Sequence, residues 1–263
     1  MKLIDTHCHI YLDDFDSDRD ELIVDSKAFG IEALLLPNID RASVTRLHNL
    51  CDRYPDFCYP MMGLHPTNVG SDYVAELKHI ESLLSKRTYC GIGEIGIDLY
   101  WDKTFAKEQV IVFEEQLRWS IDHSLPVSIH TRNAYPEVLE SIHNVGPDKL
   151  RGVFHSFAGS EEDIKEILSF KNFKLGINGV VTYKNSTLPD VLKQFATIDD
   201  IVIETDAPYL PPVPYRGKRN LPVYMRETVI KVAEIFKIQV EKALDVIEIN
   251  SKNVFSLIDR AEK

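Results

Sequence analysis

The sequence has no long apolar run. No stretch approaches the roughly 20 consecutive apolar residues that cross a bilayer as a helix, so no membrane partner is expected. The opening Met1-Lys2-Leu3-Ile4-Asp5 turns acidic at once and carries no signal-peptide pattern. The expected location is the cytoplasm. Cysteine is scarce as well. Cys8, Cys51, Cys58 and Cys90 are scattered without a C-x-x-C pair, which argues against a disulfide framework and a zinc knuckle. They read as small hydrophobes. Positive charge is in deficit: 30 Lys and Arg face 41 Asp and Glu, a net charge of −11, and the sequence pI is about 5.3. Domains that wrap nucleic acid in a broad basic surface usually have a pI above about 9. That class is disfavoured, but an enzyme gripping a few phosphates locally is not. Internal repeats, low-complexity tracts and linkers are also missing.

What remains is an ordinary globular balance, 44% hydrophobic and 27% charged in 263 residues. The length suits one large domain over residues 1–263, and a monomer is expected. Short apolar runs alternate with amphipathic stretches. The runs lie at Leu3–Ile4, 32–37, 57–64, 90–95, 126–130, 152–155, 173–176 and 200–204. Between them, apolar residues keep helical spacing, as at Leu22, Ile23, Ser26 and Phe29 with Gly30 placed to stop the helix. Ser160 to Asp163 reads as a capping box, and helices run on to the C-terminus. Eight strand–helix units predict an α/β fold, a (β/α)8 TIM barrel with its site at the C-terminal strand ends. A doubly wound sheet is the competitor, but the first strand–helix turn lacks G-x-G-x-x-G.

The first run ends in His7-Cys8-His9. Side chains alternate along a strand, so His7 and His9 should share a face with Cys8 opposite. Two adjacent imidazoles form a natural pair of metal ligands; the plain alternative is two histidines on a half-buried strand. The distribution of the nine histidines favours the ligand reading. His7, His9, His65, His130 and His155 fall at strand ends. His48, His79, His123 and His143 fall in helical stretches. Glu94 and Asp206 also lie at strand ends. Six groups, His7, His9, Glu94, His130, His155 and Asp206, exceed the needs of one tetrahedral zinc. They suit two divalent ions about 3.5–4 Å apart, bridged by a carboxylate. Imidazole with carboxylate suits zinc, manganese or iron, and weaker sites accept magnesium. Glu204 shares the face of Asp206, as a support for a ligand or as a plain structural carboxylate. Past Asp206, prolines stiffen a loop carrying Arg216, Lys218 and Arg219. With Arg132 these offer guanidinium groups that bind phosphate bidentately; a solvated loop with ordinary surface charges is the alternative.

Several motifs in order resemble the TatD family of metal-dependent deoxyribonucleases. They are Ile4-Asp-Thr-His-Cys-His9, Gly63-Leu-His-Pro66, Gly93-Glu-Ile-Gly-Ile-Asp98, Ile129-His-Thr-Arg132, His155-Ser-Phe-Ala-Gly-Ser160, and Glu204-Thr-Asp-Ala-Pro208 with Arg216-Gly-Lys-Arg-Asn220. The resemblance implies a TIM barrel, two divalent metals and phosphodiester hydrolysis, often 3′→5′ on single-stranded DNA ends. It places His7, His9, Glu94 and Asp206 around one metal, and Glu94, His130 and His155 around the other. Glu94, Asp206 and His65 are then the catalytic candidates. Arg132, Arg216 and Asn220 are the candidates for binding substrate. The departures are Asn133 for a common Asp, Ser156 and Ala158 for Cys and Thr, and Leu221 for Glu. None is an implied ligand. A metal-dependent amidohydrolase or a D-aminoacyl-tRNA deacylase on the same scaffold is the rival. Strand four offers no lysine of the kind that bridges metals in many amidohydrolases.

Overall fold

The computed structural model describes residues 2–255, and the helical reading of residues 256–263 lies outside them. Eight strands alternate with helices as the periodicity predicts: β1 Leu3–Asp5, β2 Ile31–Pro37, β3 Cys58–Met62, β4 Gly91–Asp98, β5 Val127–Arg132, β6 Gly152–Phe154, β7 Phe173–Ile177 and β8 Ile201–Ile203. The helices are α1 Arg19–Phe29, α2 Val44–Arg53, α3 Tyr73–Leu84, α4 Ala106–Asp122, α5 Tyr135–Val145, α6 Glu161–Ser169, α7 Leu188–Phe195, α8 Met225–Phe236 and α9 Val240–Phe255. The strands are parallel and pair in sequence order from β1 to β8. The last edge is drawn to the first just past the strands: the Thr6 amide and hydroxyl both donate to Ile203 O (3.2 and 3.1 Å), and the Asp206 amide donates to His7 O (2.9 Å). This is a (β/α)8 TIM barrel.

Two apolar layers hold it. Ile4, Leu35, Met61, Val153 and Val202 fill the barrel interior, and Val254 and Phe255 of α9 close its floor. A larger layer lies between sheet and helices, where Ile23, Leu47, Phe113 and Ile142 pack with Leu34, Ile95 and Ile129. Each such side chain contributes about 1.5–3 kcal/mol by leaving water. Local signals set the helix ends. Gly30 caps α1 in the left-handed region (φ 100°). Ser160 opens α6 with its side chain bonded to the Asp163 amide, and Asp163 bonds back to the Ser160 amide.

Strand ends shift by a few residues from expectation, and two of the shifts shape the site. β1 ends at Asp5, short of the histidines. The Asp5 carboxylate accepts from the His7 amide (3.3 Å) and from the Thr205 amide and hydroxyl (2.9 and 2.5 Å), and the chain bends there. β4 continues past Ile95 to Asp98, because Ile95–Asp98 pair with Ile129–Arg132 of β5. Gly96 makes this possible. Its φ is +148°, and a Cβ there would stand 1.9 Å from His130 O, so only glycine fits.

Candidate metal centre

Glu94 lies in the middle of β4, at the mouth of the barrel and almost fully buried. Its two oxygens face different partners. Oε2 meets His7 Nε2 at 3.1 Å and His9 Nε2 at 3.4 Å. Oε1 meets His130 Nδ1 at 2.9 Å, His65 Nε2 at 3.3 Å and His155 Nε2 at 3.9 Å. Asp206 Oδ1 lies 3.5 Å from His9 Nε2, and its Oδ2 lies 3.8 Å from His155 Nε2. All six expected ligands therefore converge, although β1, β4, β5, β6 and β8 are far apart in sequence.

The alternation expected at the first motif survives the bend. His7 and His9 meet at Nε2···Nε2 3.1 Å, while Cys8 is buried in the layer beneath the helices. The phase has slipped by one, however. Ile4 points into the barrel, and unbroken alternation would send Cys8 the same way. The bend held by Asp5 resets the face.

Each of the four ligand imidazoles has a polar group close behind one nitrogen. The Tyr11 hydroxyl donates to Pro37 O (2.6 Å), so it accepts the proton of His9 Nδ1 (3.1 Å) and leaves Nε2 a lone pair. Glu204 Oε1 stands 2.8 Å from His155 Nδ1. Asp98 Oδ2 stands 3.0 Å from His130 Nε2, and Ser128 Oγ 3.0 Å from His7 Nδ1. Such partners fix tautomer and ring orientation in metal sites. The donor set fits divalent ions: imidazole nitrogens and carboxylate oxygens converge on one small space, His7, His9 and Glu94 on one side and Glu94, His130 and His155 on the other. His65 differs. The Thr67 amide donates to its Nδ1 (3.2 Å), so the proton sits on Nε2, facing Glu94. In this tautomer it donates to Glu94, and with Glu94 and His130 it forms a further group whose ligand atoms lie within 4.8 Å of one another.

The electrostatics match. Burial disfavours a charged Glu94, but His65 and His7 outweigh it and hold the carboxyl well below its usual range. Burial pushes Asp206 up to about 6 and Asp5 up to about 7. Burial also opposes a His155 cation, yet Glu204 and Asp206 prevail and raise it to about 10. Glu204 is fully buried against Gly176, whose missing side chain makes its room.

The ligands open into a cleft of 690 Å³ that also takes in His65, Arg132, Trp101 and Tyr209, a volume suited to a nucleotide-sized ligand. The substrate-binding candidates divide. Arg132 lines the cleft. Arg216 does not; it is exposed and lies over the Tyr183 ring at 4.2 Å. Asn220 is a correction. It is fully buried, and its amide nitrogen is spent on Thr205 O (2.8 Å) and Tyr209 O (2.7 Å), so it clamps the loop and does not reach the cleft. Arg219 is bound to Asp18. Asp98, Tyr11, Ser128 and Trp101 were not singled out as site residues from sequence. Only Asp98 had a signal, as the last residue of the Gly93–Asp98 motif.

Comparison with known proteins agrees with this geometry. The profile of the TatD related DNase family matches residues 4–256. An uncharacterized metal-dependent hydrolase of Bacillus subtilis, YabD, is 34% identical over 97% of this chain and 99% of its own length. An uncharacterized metal-dependent hydrolase of Mycoplasma genitalium is 30% identical over 97% of this chain and 99% of its own length. The crystal structure of YJJV, a TatD homologue from Escherichia coli, superimposes with a TM-score of 0.88 at 25% identity, covering 97% of this chain and 98% of that one. With the profile spanning nearly the whole chain and the imidazoles and carboxylates gathered on one barrel mouth, this chain belongs to the TatD-related DNase family of metal-dependent hydrolases.

Proposed function

We propose that the protein hydrolyses phosphodiester bonds at single-stranded DNA ends, as a 3′→5′ exonuclease using two divalent ions. The observation that carries this reading is the division of Glu94, one oxygen toward His7 and His9 and the other toward His130 and His155. His7, His9 and Asp206 would hold one ion with Glu94, and His130 and His155 the other. Bound there, the ions supply Lewis acidity at phosphoryl oxygens and lower the pKa of water to about 7.

The chain's own residues do the remainder. Tyr11, Glu204 and Asp98 keep the imidazole lone pairs aimed. His65 Nε2 donates to a phosphate oxygen. The Arg132 fork adds positive charge where the pentavalent transition state gains negative charge. Asp206 is placed to take a proton from the attacking water, its two oxygens facing His9 and His155 on either side of the ligand cluster. β4 carries no lysine to bridge metals in the manner of many amidohydrolases.

The test compares a linear single strand, labelled at either end, with a circular single strand, using Mn2+-loaded protein and the Glu94→Ala variant. Stepwise release from the 3′ end, an uncut circle, and loss of both turnover and metal stoichiometry in a folded Glu94→Ala are expected. Equal cleavage of the circle, or full activity with two metals in Glu94→Ala, refutes the reading. Hydrolysis of amides or aminoacyl-tRNA alone favours the rivals.

A further inference from the structure

We propose that Trp101 is a base-stacking platform that, with Arg132, seats the nucleotide next to the scissile phosphate. The inference rests on the phosphodiesterase reading and extends it to the base. Trp101 is 70% exposed and its neighbour Tyr100 is 51% exposed. A large indole held in water at a cleft rim, beside a second exposed ring, is uncommon without a ligand to cover it. Trp101 lines the same 690 Å³ cleft as Glu94, His130 and Arg132.

The platform is fixed to the metal centre through one side chain. Asp98 Oδ1 accepts from the Tyr100 amide (2.9 Å) and the Trp101 amide (3.4 Å). Its other oxygen holds His130 Nε2 at 3.0 Å. One carboxylate thus sets both the turn that carries the aromatics and the ring of a metal ligand, so the indole keeps a defined offset from the reaction centre. The β4–β5 pairing that joins Asp98 to Arg132 brings the third component alongside. The Arg132 guanidinium lies 3.9 Å from the centre of the Tyr100 ring and 5.0 Å from that of Trp101. Among the described residues no carboxylate pairs with it. Its charge rests on aromatic faces, which orients the fork while leaving its N–H edge for a phosphate oxygen.

A charged fork beside an exposed indole matches the repeating chemistry of a single strand, phosphate next to a flat base. Base stacking on an aromatic ring tolerates any sequence, because every base has a π face. It also requires an unpaired base. The platform therefore contributes binding for frayed or single-stranded ends irrespective of sequence, and nothing for phosphodiesters that lack a base.

The chain has two tryptophans, and Trp119 is buried beneath α4, so quenching of tryptophan fluorescence reports on Trp101. The experiment titrates metal-free protein with a single-stranded oligonucleotide and with the same strand made abasic over its 3′-terminal nucleotides. It then measures kcat and KM of Mn2+-loaded wild type, Trp101→Ala and Trp101→Phe on both strands. Natural bases should quench and abasic ends should not. Trp101→Ala should raise KM for the natural strand about tenfold with kcat within about twofold, leave the abasic strand unaffected, and be largely rescued by Trp101→Phe. Equal quenching by the abasic strand, or an unchanged KM in Trp101→Ala, overturns the proposal. If no phosphodiester is cut at all, the hydrolase reading fails while the quench still decides the platform. If DNA is cut equally well by Trp101→Ala, only the platform fails.

Discussion

Gly176→Ala is a one-carbon change with a large expected cost. A Cβ on Gly176 would stand 2.3 Å from Glu204 Oε2, 2.8 Å from its Cδ and 3.1 Å from its Oε1. Normal contact is about 3.5 Å, so the carboxylate must retreat by about 1 Å. Glu204 is fully buried, and that movement stretches the 2.8 Å contact to His155 Nδ1 and the 2.6 Å bond from the Ser156 amide. Weakening charge-assisted bonds costs about 1.5–3 kcal/mol, and overpacking a rigid site about 1–3 kcal/mol. The stiffer unfolded chain returns about 0.4–1 kcal/mol. A net loss of about 1.5–5.5 kcal/mol follows. His155 also loses the partner that orients it, so metal affinity should fall about 10–100-fold. Urea unfolding of the metal-free protein measures the first, and competition with a chromogenic chelator measures the second. The pairing with Glu204→Ala separates them: the double variant should recover the overpacking part of stability but not metal affinity. A Gly176→Ala protein with wild-type stability and metal affinity would refute the packing argument.

Other outcomes follow from the same geometry. Cys8→Ser should leave metal binding within about twofold while His7→Asn loses it, because the bend at Asp5 sends Cys8 away from the imidazoles; equal losses in metal titration would contradict this. In the metal-free protein His155 is raised to about 10 and Asp206 to about 6, so at pH 7 a proton sits on His155 and an entering cation must displace it. Despite its burial, His130, bonded to Asp98 and Glu94, is raised as well, so metal affinity should rise with pH by about tenfold per unit or more between about 6.5 and 8.5, and calorimetry in buffers of different ionisation enthalpy should count at least one proton released; a pH-independent affinity would refute the assignment. With Arg219 tied to Asp18 and Arg216 lying over Tyr183, few cations are free for phosphates. The salt dependence of single-strand binding should be shallow, a slope of roughly −1.4 to −2.1 for two or three phosphates; a much steeper slope would mean a long basic groove.

How much of this was legible in sequence follows from the range of the forces involved. Strand–helix alternation, the stop at Gly30 and the capping box at Ser160 depend on residues a few positions apart, and they read correctly. The convergence of His7, His9, Glu94, His130, His155 and Asp206 was also legible, because barrel strands deliver their C-terminal halves to one mouth, although the face of His7 and His9 depends on the bend at Asp5 and Glu94 sits in the middle of β4. The partners behind those ligands were not. Ser128 meets His7 across 121 positions, Asp98 meets His130 across 32, and Thr205 meets Asp5 across 200. Such contacts exist only once the barrel closes. The same closure decided that β1 ends at Asp5, that β4 reaches Asp98 by pairing with β5, that Asn220 is buried as a loop clamp, and that Arg132 rather than Arg216 faces the cleft. Side-chain chemistry and short-range periodicity are written along the chain, whereas the environment of a buried polar group is a property of everything packed against it.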